Sequence, residues 1–203
     1  MLALAIHTTS PDLGLAISDF AGLTKRRVWP LGRELSTHFH GCLQEMVHPY
    51  GWAELEFIAV AQGPGGFTGT RIGVVTARTL AQQLSVPLFG VCSLAAVAAH
   101  EAGGTSQQLA VQMRSHRRDL FVAIYHPAPE GPKPQLPVQV MTPDRWQQTL
   151  AQWPHPYRLI EAEAGLGHTV SAVLELAYRR WGQGERPHWS QVLPYYGQHP
   201  VHR

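Results

Sequence analysis

The chain has 203 residues, a formal net charge of +2, 44% apolar residues and only 15% charged ones. That length fits one ordinary domain or two small lobes, and the apolar share is enough for a real core. The near-neutral balance excludes a whole-surface field for nucleic acid, and so sparse a charge is compatible with surface hidden against a partner.

The opening Met1-Leu2-Ala3-Leu4-Ala5-Ile6-His7 has no basic flank and reads as a strand rather than a signal peptide. No apolar run approaches the ~20 residues that span a bilayer, so no membrane partner is expected. Two cysteines, Cys42 and Cys92, make no disulfide framework, and the expectation is a reduced cytoplasmic protein.

In chain order, Leu2 to Thr8 reads as a buried strand, Leu13 to Ser18 as a second and Leu23 to Trp29 as a third. The apolar residues Phe39, Leu43, Met46, Val47 and Tyr50 recur at helical spacing and predict a helix from about Ser36 to Tyr50. Phe57 to Ala61 reads as a strand that enters a glycine-rich loop, with a helix from about Thr70 to Leu84 beyond it. Pro87 to Val91 is a short strand, and Ser93 is placed to cap a helix over Leu94 to Glu101. The second half restarts with strands Gln108 to Arg114 and Asp119 to Tyr125, then a loop over Pro127 to Pro137. Strand Leu136 to Met141, helix Pro143 to Trp153, strand Tyr157 to Glu161 and helix His168 to Trp181 follow. The Pro-, His- and Tyr-rich tail is expected to pack back as irregular chain. Both halves thus read strand-strand-strand-helix-strand-helix, dividing the chain into lobes 1–103 and 104–203, the second smaller. This is the plan of the actin-like (ASKHA, ribonuclease H-like) α/β superfamily, whose members hold ATP between lobes; fold alone does not give function.

The most specific segment is Gly63-Pro64-Gly65-Gly66-Phe67-Thr68-Gly69-Thr70-Arg71. Free backbone N–H groups at a helix start favour an anion, so one reading is a phosphate cradle. The other is a tight strand-to-helix turn capped by Thr68. It is neither a P-loop, since no Gly-Lys-Ser/Thr follows, nor a Rossmann fingerprint, since the glycine spacing differs.

These residues, continued by Ile72-Gly73-Val74 and by Pro87-Leu88-Phe89-Gly90-Val91-Cys92-Ser93-Leu94, resemble the bacterial TsaB family, with Gly66 where the family has Ser. Ala5-Ile6-His7-Thr8-Thr9 is similar to the family's Ala-Ile-Asp-Thr-Ser, and Thr37-His38 to its Thr-His-Ser. His116-Arg117-Arg118-Asp119-Leu120-Phe121 and Leu193-Pro194-Tyr195-Tyr196 are weaker echoes. The resemblance implies a subunit that pairs with the paralogous catalytic protein TsaD, with TsaE as a further partner, in threonylcarbamoyl transfer to the adenosine beside the tRNA anticodon.

Catalytic TsaD-like chains carry Asn-His-Leu-Glu-Gly-His where this chain has Cys92-Ser93-Leu94-Ala95-Ala96-Val97, so both metal-binding imidazoles are absent. The first-strand Asp is His7, and the second lobe offers Met113-Arg114-Ser115-His116-Arg117-Arg118 where an Asp-Gly-Gly turn would meet a nucleotide. The expectation is a pseudo-enzyme with no catalytic residue, cofactor or metal. No His-Glu-x-x-His supports a protease, and His38 and His40 point to different faces of their helix. The basic runs Arg114 to Arg118 and Lys25-Arg26-Arg27 read as solvated surface, with tRNA contact indirect.

Two helical stripes are candidates for the partner interface. Phe39, Leu43 and Met46 make a bulky one; Gly73, Ala77 and Ala81 make a flat one that admits a close helix, with Ile72, Val75, Thr79 and Leu80 left for the sheet. The resemblance implies that this surface serves both TsaD and self-association. Two rivals stand beside this reading: an active small-molecule kinase of the same fold, and a homodimeric module with an unrelated partner.

Overall fold

The computed structural model describes residues 1–115, 118–163 and 165–197. Strands β1 (Leu2–His7), β2 (Leu13–Ser18), β3 (Thr24–Trp29), β4 (Leu55–Gly63) and β5 (Leu88–Cys92) form one sheet in the order β3-β2-β1-β4-β5. The first three are antiparallel neighbours, and β4 and β5 run parallel to β1. Strands β6 (Gln108–Arg114), β7 (Leu120–His126), β8 (Lys133–Met141) and β9 (Tyr157–Glu161) form a second sheet in the order β8-β7-β6-β9. The second lobe therefore repeats the first without its fifth strand. Among the described residues the sheets are joined by five α-helices: α1 (Leu35–Val47), α2 (Phe67–Leu84), α3 (Ser93–Glu101), α4 (Pro143–Ala151) and α5 (Val170–Gly182).

Alternation along β1 builds two cores. Leu2, Leu4 and Ile6 meet α1 and α2 on one face, while Ala3 and Ala5 meet α3 and α5 on the other. The alanines leave room for α5 to lie close, and the aromatic residues at the edge fill what remains: Phe57 stands 5.1 Å from Trp181 and 5.3 Å from Phe89. Such pairs add about 0.5–1.5 kcal/mol beyond their burial. The first sheet draws its strands from residues 2–92 and the second from residues 108–161, but α5 packs on the first sheet. Helix α3 covers one face of the second sheet, and α4 covers the other. Trp146, buried in α4, donates its indole N–H to Gln112 Oε1 at 2.7 Å, and Trp153 does the same to Gln108 Oε1 at 2.8 Å.

Several boundaries differ from the sequence reading. Helix α1 stops at Val47 rather than Tyr50, because His48 precedes Pro49 and is extended, with ψ 135°. Helix α2 begins at Phe67, so Thr68 lies inside it and caps nothing. Ser93 is the first residue of α3 rather than its cap, its hydroxyl sharing a 3.0 Å hydrogen bond with that of Thr9. Strand β8 begins at Lys133, inside the stretch read as loop; Pro134 and Pro137 are tolerated because β8 is an edge strand. Helix α4 ends at Ala151, and His168 belongs to a 3-10 turn over Leu166–Thr169 ahead of α5. The tail packs back as far as residue 197, Pro187 accepting a hydrogen bond from the Leu88 amide and Val192 lying buried in the first core; residues 198–203 lie outside the described residues. Among the described residues no helix is long and apolar enough to cross a membrane.

Candidate functional site

The glycine-rich loop leaves β4 at Gly63 and feeds α2, and its tight fit against the end of β1 explains its composition. The Gly66 amide donates to Thr9 O at 2.7 Å, and Thr8 Oγ1 donates to Gly69 O at 2.8 Å. A Cβ on Gly65 would stand 2.2 Å from Thr9 O, and one on Gly69 2.2 Å from Thr8 O. Side chains there would drive the helix off the strand, which favours the turn reading of the loop over the phosphate cradle.

Above the loop, the two lobes enclose a cleft of about 1270 Å³. Thr8 to Pro11 and Gly65 to Gly69 line one side, and Gln112 to Ser115 with Glu161 to Glu163 the other. Arg33 and Arg114 bring positive charge to it, Glu161 and Glu163 negative charge. Phe67, 48% exposed, and Thr68 are open at the first turn of α2, as is Arg71 one turn on, while Pro64 is buried beneath.

Most polar groups at the floor are engaged within the chain, whereas Ser10 Oγ, which also lines the cleft, is buried without a hydrogen-bond partner among the described residues. Thr8 and Thr9 hold α2 and α3 as described, and Thr70 Oγ1 donates to Gly66 O at 2.8 Å. Val97 is 4% exposed and packs with Leu109, Val111 and Phe121 of the second lobe. His7 is fully buried, and neither ring nitrogen has a hydrogen-bond partner among the described residues. Burial, and then the nearby His168, push its pKa down to about 3, so the ring is neutral at physiological pH. A neutral, buried ring supplies none of the negative charge that a nucleotide-bound cation needs. Among the described residues no three His, Cys, Asp or Glu side chains are grouped to hold a metal.

The basic runs behave differently from each other. Arg27 pairs with Glu45 and lies 4.9 Å over the Trp29 ring, and Lys25 Nζ donates to Glu45 O at 3.1 Å. Lys25 and Arg27 are therefore committed to α1, whereas Arg26 is exposed and acts on His100. Arg114 and Arg118 are exposed, and the Ser115 amide donates to Asp119 O at 2.8 Å; His116 and Arg117 lie outside the described residues.

The expected partner stripes are corrected by burial. Phe39, Leu43 and Met46 are 0%, 2% and 1% exposed, and all three belong to the core of the first lobe. Gly73, Ala77 and Ala81 are buried too, facing β1 and β4 rather than outward. The small residues do admit a close neighbour, but that neighbour is the chain's own sheet. The outward face of α2 is instead Arg71, Val75 and Thr79, with Val75 52% exposed. On α1 the exposed positions include His38, His40 and Gly41, and nothing lies within 4 Å of where a Gly41 Cβ would stand. Sequence reasoning missed this face because Val75 looks like a core residue; the β-branched Val75 and Thr79 one turn apart were its only trace.

A family model described as "TsaD: tRNA N6-adenosine threonylcarbamoyltransferase" matches residues 33–147. The tRNA threonylcarbamoyladenosine biosynthesis protein TsaB of Bacillus subtilis is 34% identical over 102 residues, which is 49% of this chain and 44% of that protein. The TsaB protein of Buchnera aphidicola is 40% identical over 45 residues, 22% of this chain and 21% of its own length. This chain thus matches less than half the length of either curated relative. Among solved structures, YeaZ from Pseudomonas aeruginosa superposes with a TM-score of 0.78 at 20% identity, covering 96% of this chain and 99% of that one. A second P. aeruginosa structure, titled as similar to peptidase YEAZ, gives 0.80 at 20% identity over 97% and 99%. At that identity the superpositions establish the shared fold.

Proposed function

The chain belongs to the TsaB branch of the TsaD family, and from that premise we propose that it is the non-catalytic subunit of a tRNA threonylcarbamoyladenosine-forming complex. The observation that carries the reading is His7. At the strand position where catalytic relatives place a carboxylate, this chain has a neutral imidazole wholly inside the protein. The Thr8, Thr9 and Ser93 hydroxyls nearby are bonded within the fold. Among the described residues no cluster of three His, Cys, Asp or Glu side chains stands ready to hold the metal of a nucleotide, which supports the reading.

What such a subunit offers is a surface. The outward face of α2, centred on Val75, is the proposed seat for TsaD, with TsaE joining the assembly and tRNA held mainly by the partners. Gly41 supports this seat. A glycine at an exposed helix position costs about 1 kcal/mol relative to alanine, and no contact among the described residues requires it. Close approach of a partner helix would require it. The same face would serve self-pairing, so the two associations would compete.

The kinase alternative rests on the cleft, whose Arg33, Arg114, Glu161 and Glu163 are polar groups available to a small molecule. Calorimetry of the isolated chain with magnesium ATP separates the readings. The scaffold reading expects no heat of binding at micromolar protein; a micromolar Kd would overturn it.

A further inference from the structure

Residues 192–197 follow an unusual course, touching first one lobe and then the other. Val192 is buried against the first lobe beside Gly90. The Tyr195 amide donates to Gln62 O at 2.7 Å, extending the hydrogen bonding at the end of β4. The Tyr195 carbonyl sits where a Cβ on Gly63 would be, 2.3 Å away. The Tyr196 ring lies 4.7 Å from that of Phe67 at the start of α2. From the same short segment, Tyr195 Oη reaches across to donate to Val138 O of β8 at 3.3 Å. Gly197, with φ +68°, presses on the second lobe so closely that a Cβ would stand 2.3 Å from the Phe121 ring and 3.0 Å from Val140.

The chain itself passes between the sheets twice, after α3 and after β9. Two crossings make a hinge, and enzymes of many folds use such hinges to close on substrate. We infer that residues 192–197 are a strap that joins the lobes in addition to the two crossings and the packing of α3 on both sheets, and holds the cleft at fixed width, limiting that motion. The attachments are unequal. The first-lobe end has a backbone hydrogen bond, a buried valine and a ring contact. The second-lobe end has one hydroxyl bond and one glycine contact. Release would therefore begin at Val138 and Phe121, with the first-lobe end still seated.

The test is the distance between spin labels carried on unnatural, non-cysteine side chains at Ser36 and Glu163, which line the cleft from opposite lobes. This leaves Cys42 and Cys92 untouched. The full chain should give one narrow distance distribution. The Tyr195→Phe/Gly197→Val variant, which cuts only the second-lobe attachments, should broaden it and move it to longer distance. An unchanged distribution in that variant would overturn the strap. Should Gly197→Val prevent folding, hydrogen exchange on the unaltered chain decides instead. The Tyr195 amide should exchange as slowly as those of β4; rapid exchange there, alongside a narrow distance distribution, would show lobes fixed without the tail.

Discussion

A Cβ placed on Gly73 would stand 2.0 Å from Thr8 Oγ1, the hydroxyl that donates to Gly69 O and holds the first turn of α2 to β1. Gly73→Ala should therefore destabilise the chain by about 1–3 kcal/mol despite alanine's better helix propensity, because overpacking outweighs it. Thr8→Ala removes the clashing oxygen at the cost of its hydrogen bond. The double variant should accordingly lose less stability than the sum of the singles. Urea denaturation of the four proteins checks this, and simple additivity would contradict the contact.

Ala77 and Val75 should separate folding from docking. Ala77 is fully buried against the sheet, so Ala77→Arg places an unpaired charge in the core and should cost at least ~3 kcal/mol or prevent folding. Val75 is 52% exposed, and Val75→Arg should leave the melting temperature within a few degrees of the parent. Thermal melts followed by circular dichroism read both. A folded Ala77→Arg chain would mean that α2 presents the other face.

This pair also shows what the sequence could and could not convey. Periodicity correctly identified α2 as two-faced, but glycine and alanine four apart suit a close partner helix and a close sheet equally well. What decides is the position of Thr8 sixty-five residues earlier. The succession of strands and helices was legible because the apolar runs of both halves follow one plan. The return of α5 to the first sheet was not, since Val170, Val173 and Ala177 form an apolar stripe whatever they cover. His7 was legible as a missing carboxylate; that it is buried without a hydrogen-bond partner required the fold.

His7 predicts an acid sensitivity. Its pKa falls from 6.5 in the unfolded chain to about 3 in the native protein, so the unfolded state binds the proton first. Stability is then complete above pH 6.5 and declines as pH falls toward 3, by roughly 3 kcal/mol at pH 4. His100, lowered by burial and then by His168, acts in the same direction. The lowered carboxylates Asp19 and Glu130 contribute only once pH falls below their ordinary values near 4. Urea midpoints between pH 7 and 4.5 should therefore fall for the parent and fall less for His7→Leu. Identical slopes would contradict the assignment.

Gly41 should respond in opposite ways to two measurements. Gly41→Ala ought to stabilise the isolated chain by about 0.5–1 kcal/mol, since its Cβ meets nothing and the helix gains. Gly41→Leu should weaken association with TsaD in sedimentation while keeping the fold. Unaltered association would remove α1 from the proposed seat.

The most direct test of the scaffold account is threonylcarbamoyl transfer to tRNA by purified TsaD and TsaE, supplied with threonylcarbamoyl adenylate, with and without this chain. The account predicts transfer that requires the chain, is restored by the parent protein and is not restored by folded Val75→Arg. Full transfer without the chain, or full rescue by Val75→Arg, would contradict it.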